Sequence, residues 1–534
     1  MIRDDLAAAV REALSALGVD PLPERVDLER PGRREHGDWS SNVALATAKK
    51  AGRNPRELAA QLVEHLSAAP PAHVLKVDLA GPGFVNFHLA PTWLHDILTE
   101  VVEAGPDGYA KPDLGQGRSV NVEFVSANPT GPVHAGHARG AAHGDSVARL
   151  LTRTGHAVTR EFYINDRGVQ MQKFGQSLAA RKAGEEPPEG GYLGEYVTEW
   201  AQELPDDVDP VVWGEERALQ DQREALGAFG VHFDEWFSEL TLVDSGAIET
   251  TLAELLERGV AYEQDGATWL RSTDHGDDKD RVLVKSDGEY TYLLPDIAYH
   301  RDKFSRAEQL INVWGADHHG YIVRMKAAMA SLGLDADALE IEIVQMVDLL
   351  KDGEPMKLSK RAGTVVELRD IVDEVGADAA RLTYLLQSID SRQTVDLAEV
   401  ASQGMDNPVY YVQMAHARIH GITRRADEAG FPRGPLADAD LSLLTHEREL
   451  DVLRALSELP DVVRLATEDR APHKVTTWVR DLAGAFHGFY HDCYVVGDGV
   501  SPELTQARLW LAESARIGLS IGLDLLGVSA PETM

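Results

Sequence analysis

The chain has 534 residues, too many for one core, so three or four domains are expected. Its 43% apolar content, with 9 Trp, 14 Tyr and 12 Phe, excludes a disordered chain, and its single cysteine, Cys493, excludes an internal disulfide framework or a cysteine-built zinc site. The net charge, 52 − 87 = −35, weighs against a nucleic-acid partner, because phosphate contacts need Lys and Arg.

Residues 1–110 read as a small α/β unit. The opening "MIRDDLAAAVREALSALG" is an amphipathic helix with acids where a signal peptide carries only basic residues. Asn54-Pro55 starts a later helix, and "HVLKVDLAGPGFVNFHLA" alternates like two strands around a Gly-Pro-Gly turn. A Gly/Pro-rich linker follows. Ser119 to Ser126 is then a buried-strand run, residues 136–154 a helix ending at Gly155, and "VTREFYIND" a second strand. Together they predict one βαβ unit of a nucleotide-binding fold over 117–375. The Glu-, Trp- and Pro-rich stretch at about 185–287 reads as one insertion into it. Further α/β rhythm closes on "IEIVQMVDLL", read as the last strand. Residues 376–405 read as a connecting segment and 406–534 as an all-helical domain. No run approaches the roughly 18 apolar residues of a membrane span, and a cytoplasmic location is expected.

Neither of the two commonest phosphate loops, G-x-x-x-x-G-K-[ST] or G-x-G-x-x-G, is present. "HAGH", His134 to His137, can replace them. Gly136 lets a nucleotide approach the backbone, the following helix offers free N–H groups to a polyphosphate, and the imidazoles can donate to phosphoryl oxygens. A second candidate is "MKLSKRAG", Met356 to Gly363: the chain has 14 lysines, and Lys351, Lys357 and Lys360 fall within ten residues. A Lys-x-Ser-Lys loop can lay ammonium groups on phosphates in a transition state. Each motif alone has a bland reading as an exposed turn. Each follows a strand of the nucleotide fold, so both can reach one crevice at the strand ends.

These residues carry a resemblance. "HAGH" and "KLSKR" resemble the HIGH and KMSKS signatures of class I aminoacyl-tRNA synthetases. "VEFVSANPTGPVHAGHARG", "REFYINDRGVQM", "LLPDIAYHRDK", "GADHHGY" and "NPVYYVQMAHARI" resemble the bacterial arginyl-tRNA synthetases, over nearly the whole chain. The resemblance implies a class I Rossmann-like catalytic domain, an N-terminal α/β domain that receives the tRNA elbow, and a C-terminal helical anticodon-binding domain. It implies His134, His137, Lys357 and Lys360 as catalytic, and Gly136, Gly315, Asp317, His318, Val347 and Ser359 at ATP. Glu123, Ser126, Asn128, Tyr292 and Asp296 would hold arginine, and Phe84, Asn86 and Tyr410 would touch tRNA. A guanidinium is always charged and rich in donors, so carboxylates in its pocket make chemical sense. For Glu123 and Asp296 the alternatives are a strand-end charge in solvent and a helix-cap acid. One of Phe84 and Phe87 must be core, and Tyr410 and Tyr411 cannot face one way.

The implied activity is ATP-dependent attachment of L-arginine to tRNA(Arg) through an arginyl-adenylate, by a monomer. Mg²⁺ would arrive with the nucleotide and no metal site is expected in the protein. The carboxylate-rich turn "STDHGDDKD" at 272–280 lacks calcium-loop spacing and reads as a solvated turn. Cys493 reads as a buried apolar residue. Two rival readings use the same motifs: a tRNA-independent amino-acid ligase or nucleotidylyl transferase, and a non-catalytic RNA-binding paralogue. The extra N-terminal and helical domains argue against the first, and the intact motifs against the second.

Overall fold

The computed structural model describes residues 2–356, 366–402 and 404–534. The chain forms two compact units. One comprises Met1–Gly105, Ile422–Ser457 and Ala485–Ala515, the other Pro106–Gly421, Glu458–Gly484 and Arg516–Met534.

In the first unit, strands β1 (Trp39–Ser41), β2 (Val74–Ala80) and β3 (Phe84–Leu89) form an antiparallel sheet in the order β1-β3-β2. Gly83 closes the β2–β3 turn at φ 151, where a Cβ would come within 3.1 Å of the Pro55 carbonyl oxygen. Helix Pro55–Ala68 starts as expected at Asn54, whose side chain accepts the N–H groups of Arg56 and Glu57. Its Leu58, Leu62 and Leu66 are buried at helical spacing. Phe87 is core and Phe84 is 37% exposed, so the strand resolves the alternation in favour of Phe84 as the outward ring. Cys493 is buried, with its thiol 3.4 Å from His446 Nδ1.

The second unit holds, in chain order, β4 (Ser119–Glu123), β5 (Ala157–Ile164), β6 (Glu235–Ser238), β7 (Ala261–Gln264), β8 (Ala267–Leu270), β9 (Arg281–Val284), β10 (Gln309–Gly315), β11 (Leu339–Val344), β12 (Val347–Lys351), β13 (Glu354–Pro355) and β14 (Gln393–Asp396). Five of them make a parallel sheet, β11-β10-β4-β5-β6. The chain moves outward from β4 to β6, then returns to β10 on the other side of β4. The crevice between the carboxyl ends of β4 and β10 is therefore the switch point, the usual ligand position in such a sheet.

Helix Ala138–Arg153 crosses this sheet, with Gly144 seated so close to Phe124 that a Cβ would lie 2.3 Å from its ring. Buried charge locks it: Asp145 accepts Arg381 at 2.6 Å, and Arg139 donates to the carbonyl oxygens of Ser388 and Ser391 at 2.7 and 2.6 Å. Each is a deeply buried cation with oxygen partners, the arrangement burial requires.

Two expectations need correction. The stretch 185–287 is not one insertion: β6 within it pairs with β5 in the main sheet, with Trp236 stacked 4.3 Å from Phe162. The aromatic composition that suggested an insertion is partly core packing. The helices Glu195–Glu203 and Pro210–Ala228, and the antiparallel sheet β7-β8-β9, lie on either side of it. Likewise "IEIVQMVDLL" is two strands, not one. β11 ends the main sheet, whereas β12 turns away to pair with β13 and, in parallel, with β14. An unbroken apolar run cannot show where a chain changes partners.

Candidate active site

The backbone is strained where β4 ends. Val125 and Ser126 take positive φ, 70° and 43°, which costs an L-residue about 1–3 kcal/mol each. Side-chain bonds hold the turn: Ser126 Oγ donates to Glu123 Oε1 at 3.0 Å and accepts the Tyr163 N–H at 3.1 Å. Glu123 is thereby fixed, buried, at the mouth of the switch point.

The HAGH loop follows. His134 is extended and its Nδ1 accepts the Gly136 N–H at 3.1 Å, which leaves the ring proton on Nε2. The His134 and His137 rings lie 3.9 Å apart, and a Cβ on Gly136 would come within 2.9 Å of the His134 ring. The loop is zipped to a distant segment: Ala135 N–H donates to the Val366 oxygen and Leu368 N–H to the Val133 oxygen, both at 2.8 Å. Val366 lies just beyond "KLSKR". Lys357, Ser359 and Lys360 themselves lie outside the described residues. The flank of their motif nonetheless joins HAGH directly.

At the end of β10, Gly315 leads into a 3₁₀ turn, Ala316–Tyr321. A Cβ on Gly315 would lie 2.7 Å from Asp317 Oδ1, so glycine leaves room for that carboxylate. Asp317 is 83% exposed, with His318 Nε2 3.6 Å away. Val347 heads β12, half-buried.

The predicted arginine residues divide. Glu123, which is buried, and Asp296, which is half-buried, belong to one carboxylate group that also includes the half-buried Glu239. Glu123 pairs with Lys303 at 2.7 Å and Glu239 with Arg167 at 3.2 Å. Among the described residues Asp296 pairs with no cation. It accepts the neutral Tyr321 hydroxyl at 2.6 Å. Burial pushes the Asp296 carboxyl up to about 7, the Tyr321 bond opposes this, and Glu239 and Glu123 add to it. Burial also raises Glu239, against its bonds to Tyr163 and Arg167. Asn128 is exposed and donates to Gln170 Oε1 at 3.0 Å, and Tyr292 stands 91% exposed at the start of helix Leu293–Arg306.

Sequence reading missed Lys303, Glu239 and Tyr321. A signal existed for the first: Asp296, His300 and Lys303 fall at i, i+4 and i+7, one face of a helix, and a lysine on a buried face needs an acid. Glu239 and Tyr321 come from other loops and gave no such periodic signal.

Of the residues expected at tRNA, Phe84 is partly exposed and edges a cleft of about 300 Å³ that Arg30 and His36 also line. Asn86 faces that cleft but is buried, and its Oδ1 accepts the Ser40 hydroxyl at 2.7 Å. Tyr410 and Tyr411 are both half-buried on helix Pro408–Glu428, and a Cβ on Gly484 would lie 3.3 Å from the Tyr411 hydroxyl. The 272–281 turn is closed on itself: Asp277 is gripped by Arg281, and Asp280 by Tyr262 and Thr273.

A cation-seeking acid thus sits at a sheet switch point beside a loop suited to phosphates, a geometry that can hold a charged small molecule against a nucleotide. Residues 4–89 match the family described as arginyl tRNA synthetase N terminal domain. Residues 102–186 and 229–421 match tRNA synthetases class I (R), catalytic domain, and 412–534 match the DALR anticodon binding domain. The gap in the catalytic match takes in helices 195–203 and 210–228 and spares β6. The arginine–tRNA ligase of Bacillus subtilis is 44% identical over 554 residues, covering 100% of this chain and 98% of its own length. That of Frankia alni is 47% identical over 551 residues, covering 100% and 99%. The solved Thermus thermophilus arginyl-tRNA synthetase shares the fold, with a TM-score of 0.77 at 24% identity and full coverage of both chains. With all three domains matched in order, the chain belongs to the class I arginyl-tRNA synthetases.

Proposed function

We infer that this chain attaches L-arginine to tRNA(Arg) in two steps. The arginine carboxylate attacks the α-phosphorus of ATP, an O–P bond forms and pyrophosphate leaves. A terminal ribose hydroxyl of the tRNA then attacks the adenylate carbonyl, and AMP leaves. The observation that carries the arginine assignment is Asp296, a half-buried acid beside Glu239 and Glu123 that, among the described residues, is paired with a neutral hydroxyl and no cation. A guanidinium supplies both the charge and the donors that such a site lacks.

The remaining roles follow. His134 and His137 donate to phosphoryl oxygens as charge builds, and Gly136 lets the phosphates approach. Lys357 and Lys360 neutralise the leaving pyrophosphate, with Ser359 between them. Gly315, Asp317 and His318 meet the ribose, and Val347 meets the adenine. Glu123, Ser126, Asn128 and Tyr292 complete the arginine subsite around Asp296. Phe84, Asn86 and Tyr410 contact tRNA, with the Phe84 ring stacking on a splayed base. Mg²⁺ rides on the nucleotide and offsets phosphate charge there. On the same reading the enzyme works as a monomer in the cytoplasm. No step needs a covalent enzyme intermediate, so catalysis is positioning plus charge stabilisation.

Pyrophosphate exchange into ATP tests this, run with each proteinogenic amino acid, with and without total tRNA. The expected result is exchange with arginine alone, dependent on tRNA. Exchange with another amino acid would overturn the roles of Asp296 and Glu123. Exchange without tRNA would favour a ligase that needs no RNA, and no exchange at all would favour a non-catalytic RNA-binding protein.

A further inference from the structure

Lys303 is fully buried, yet it is an ammonium, and its surroundings explain how the two pocket carboxylates are held. Its Nζ lies 2.7 Å from Glu123 Oε2 and 2.7 Å from Asn312 Oδ1. An ammonium can only donate. That fixes the orientation of every group beyond it. Asn312 must present its oxygen to Lys303, so its Nδ2 donates to His300 Nε2, 2.7 Å away. His300 Nε2 is therefore unprotonated, and Nδ1 carries the proton donated to the Asp296 main-chain oxygen at 2.8 Å. Burial and the Lys303 charge push this imidazole down to about 4, consistent with the neutral form that the geometry demands.

On the other side, Glu123 Oε1 accepts the Ser126 hydroxyl, whose oxygen accepts the Tyr163 N–H. One polarised chain thus runs from the Asp296 backbone through His300, Asn312, Lys303 and Glu123 to Ser126 and the strand β5. It ties helix Leu293–Arg306 to β10, β4 and β5. The Tyr299 ring also lies under the ammonium, 5.0 Å from Nζ.

We propose that Lys303 is a positioning residue for the arginine subsite: it fixes the Glu123 carboxylate and offsets its charge, leaving Asp296 as the acid that a substrate cation must balance. The proposal rests on the functional reading above. With Lys303 present, Glu123 serves as an oriented acceptor whose charge is already matched. A guanidinium then gains most of its Coulomb energy at Asp296, and its orientation from Glu123. Removal of Lys303 leaves Glu123, buried, with no cation among the described residues and deprives Asn312 Oδ1 of its donor, so the arginine contact loosens while the nucleotide loops are untouched.

The test is steady-state charging of tRNA, with KM for arginine and KM for ATP measured separately. Lys303→Met is expected to raise KM for arginine at least about tenfold, the loss of one charge-assisted contact, with KM for ATP within about twofold. Lys303→Gln keeps a donor but no charge and is expected to fall between it and the parent. The double variant Glu123→Gln/Lys303→Met removes the unmatched acid; it is expected to recover the melting temperature of the parent but not its KM for arginine. A purely structural lysine predicts otherwise: lower melting temperature and less active enzyme, with both KM values unchanged. That result, or equal rises in both KM values, overturns the proposal alone. A parent enzyme that charges tRNA with a different amino acid overturns the functional reading and the proposal with it.

Discussion

Two acidic regions of the catalytic unit hold their carboxylates in opposite ways. In the turn at 272–281, Asp277 faces Arg281 in fork geometry at 2.7 and 2.8 Å, and that bond holds it well below the usual carboxylate range. Asp277, whose side chain is almost fully buried, is matched by a cation four residues on. In the pocket between β4 and β10, the matching is long-range and deliberately incomplete. Lys303 answers Glu123 from 180 residues away, Arg167 answers Glu239, and among the described residues Asp296 is left with a phenol. The two regions look alike in sequence, as Asp and Glu near basic residues. What separates a structural turn from a binding site is not the density of charge but its buried imbalance.

The comparison can be broken at several points. Asp296→Asn removes the imbalance and is expected to lower kcat/KM for arginine by about 10³-fold or more, since an unmatched guanidinium is left in a partly desolvated site. The same variant should melt no lower than the parent at pH 8, because it also removes an acid whose ionisation is costly in the folded state; steady-state charging and a melting curve read both effects. His134→Asn or His137→Asn should cost about 10²- to 10³-fold in kcat with little change in KM for arginine, the signature of a contact made only in the transition state.

A smaller effect is set by pH. The Asp296 carboxyl titrates at about 7 in the empty site and must be ionised to bind a cation. KM for arginine should therefore fall about tenfold from pH 6 to pH 8. The sign for stability is opposite. A carboxyl raised on folding contributes stability that is present below its unfolded value and lost as pH rises through about 7. Arginine should accordingly raise the melting temperature more at pH 8 than at pH 6. The smallest effect belongs to the turn. Asp277 is lowered on folding, so its contribution is present at neutral pH and disappears only in acid. Asp277→Asn should lower the melting temperature by a few degrees at most and leave KM for arginine unchanged. A change in that KM would mean the two regions are not separate.

How much of this was legible beforehand follows from the physics of each element. The strand-turn-helix around HAGH was readable because its signals are local: an apolar run, Pro and Gly in the turn, and a helix that stops at Gly155. So was the start of helix Pro55–Ala68 at Asn54. The departure of β12 from the main sheet was not readable, because Val347–Lys351 would suit either sheet and its partner β14 lies more than 40 residues on. β6 was hidden because its aromatic residues look the same in an insertion as in a sheet edge. In the site, Glu123 and Asp296 were named through family resemblance. The pairing that distinguishes them, Lys303 on one and, among the described residues, no cation on the other, depends on the register of Asn312 beside Glu123 across β10 and β4. No local pattern encodes that register.

The most direct test of the central claim is charging of total tRNA with arginine and with the other proteinogenic amino acids, by the parent and by Asp296→Asn side by side. The account predicts arginyl-tRNA alone from the parent and almost none from the variant. A variant that still charges arginine at the parent rate, or a parent that charges another amino acid, would contradict it.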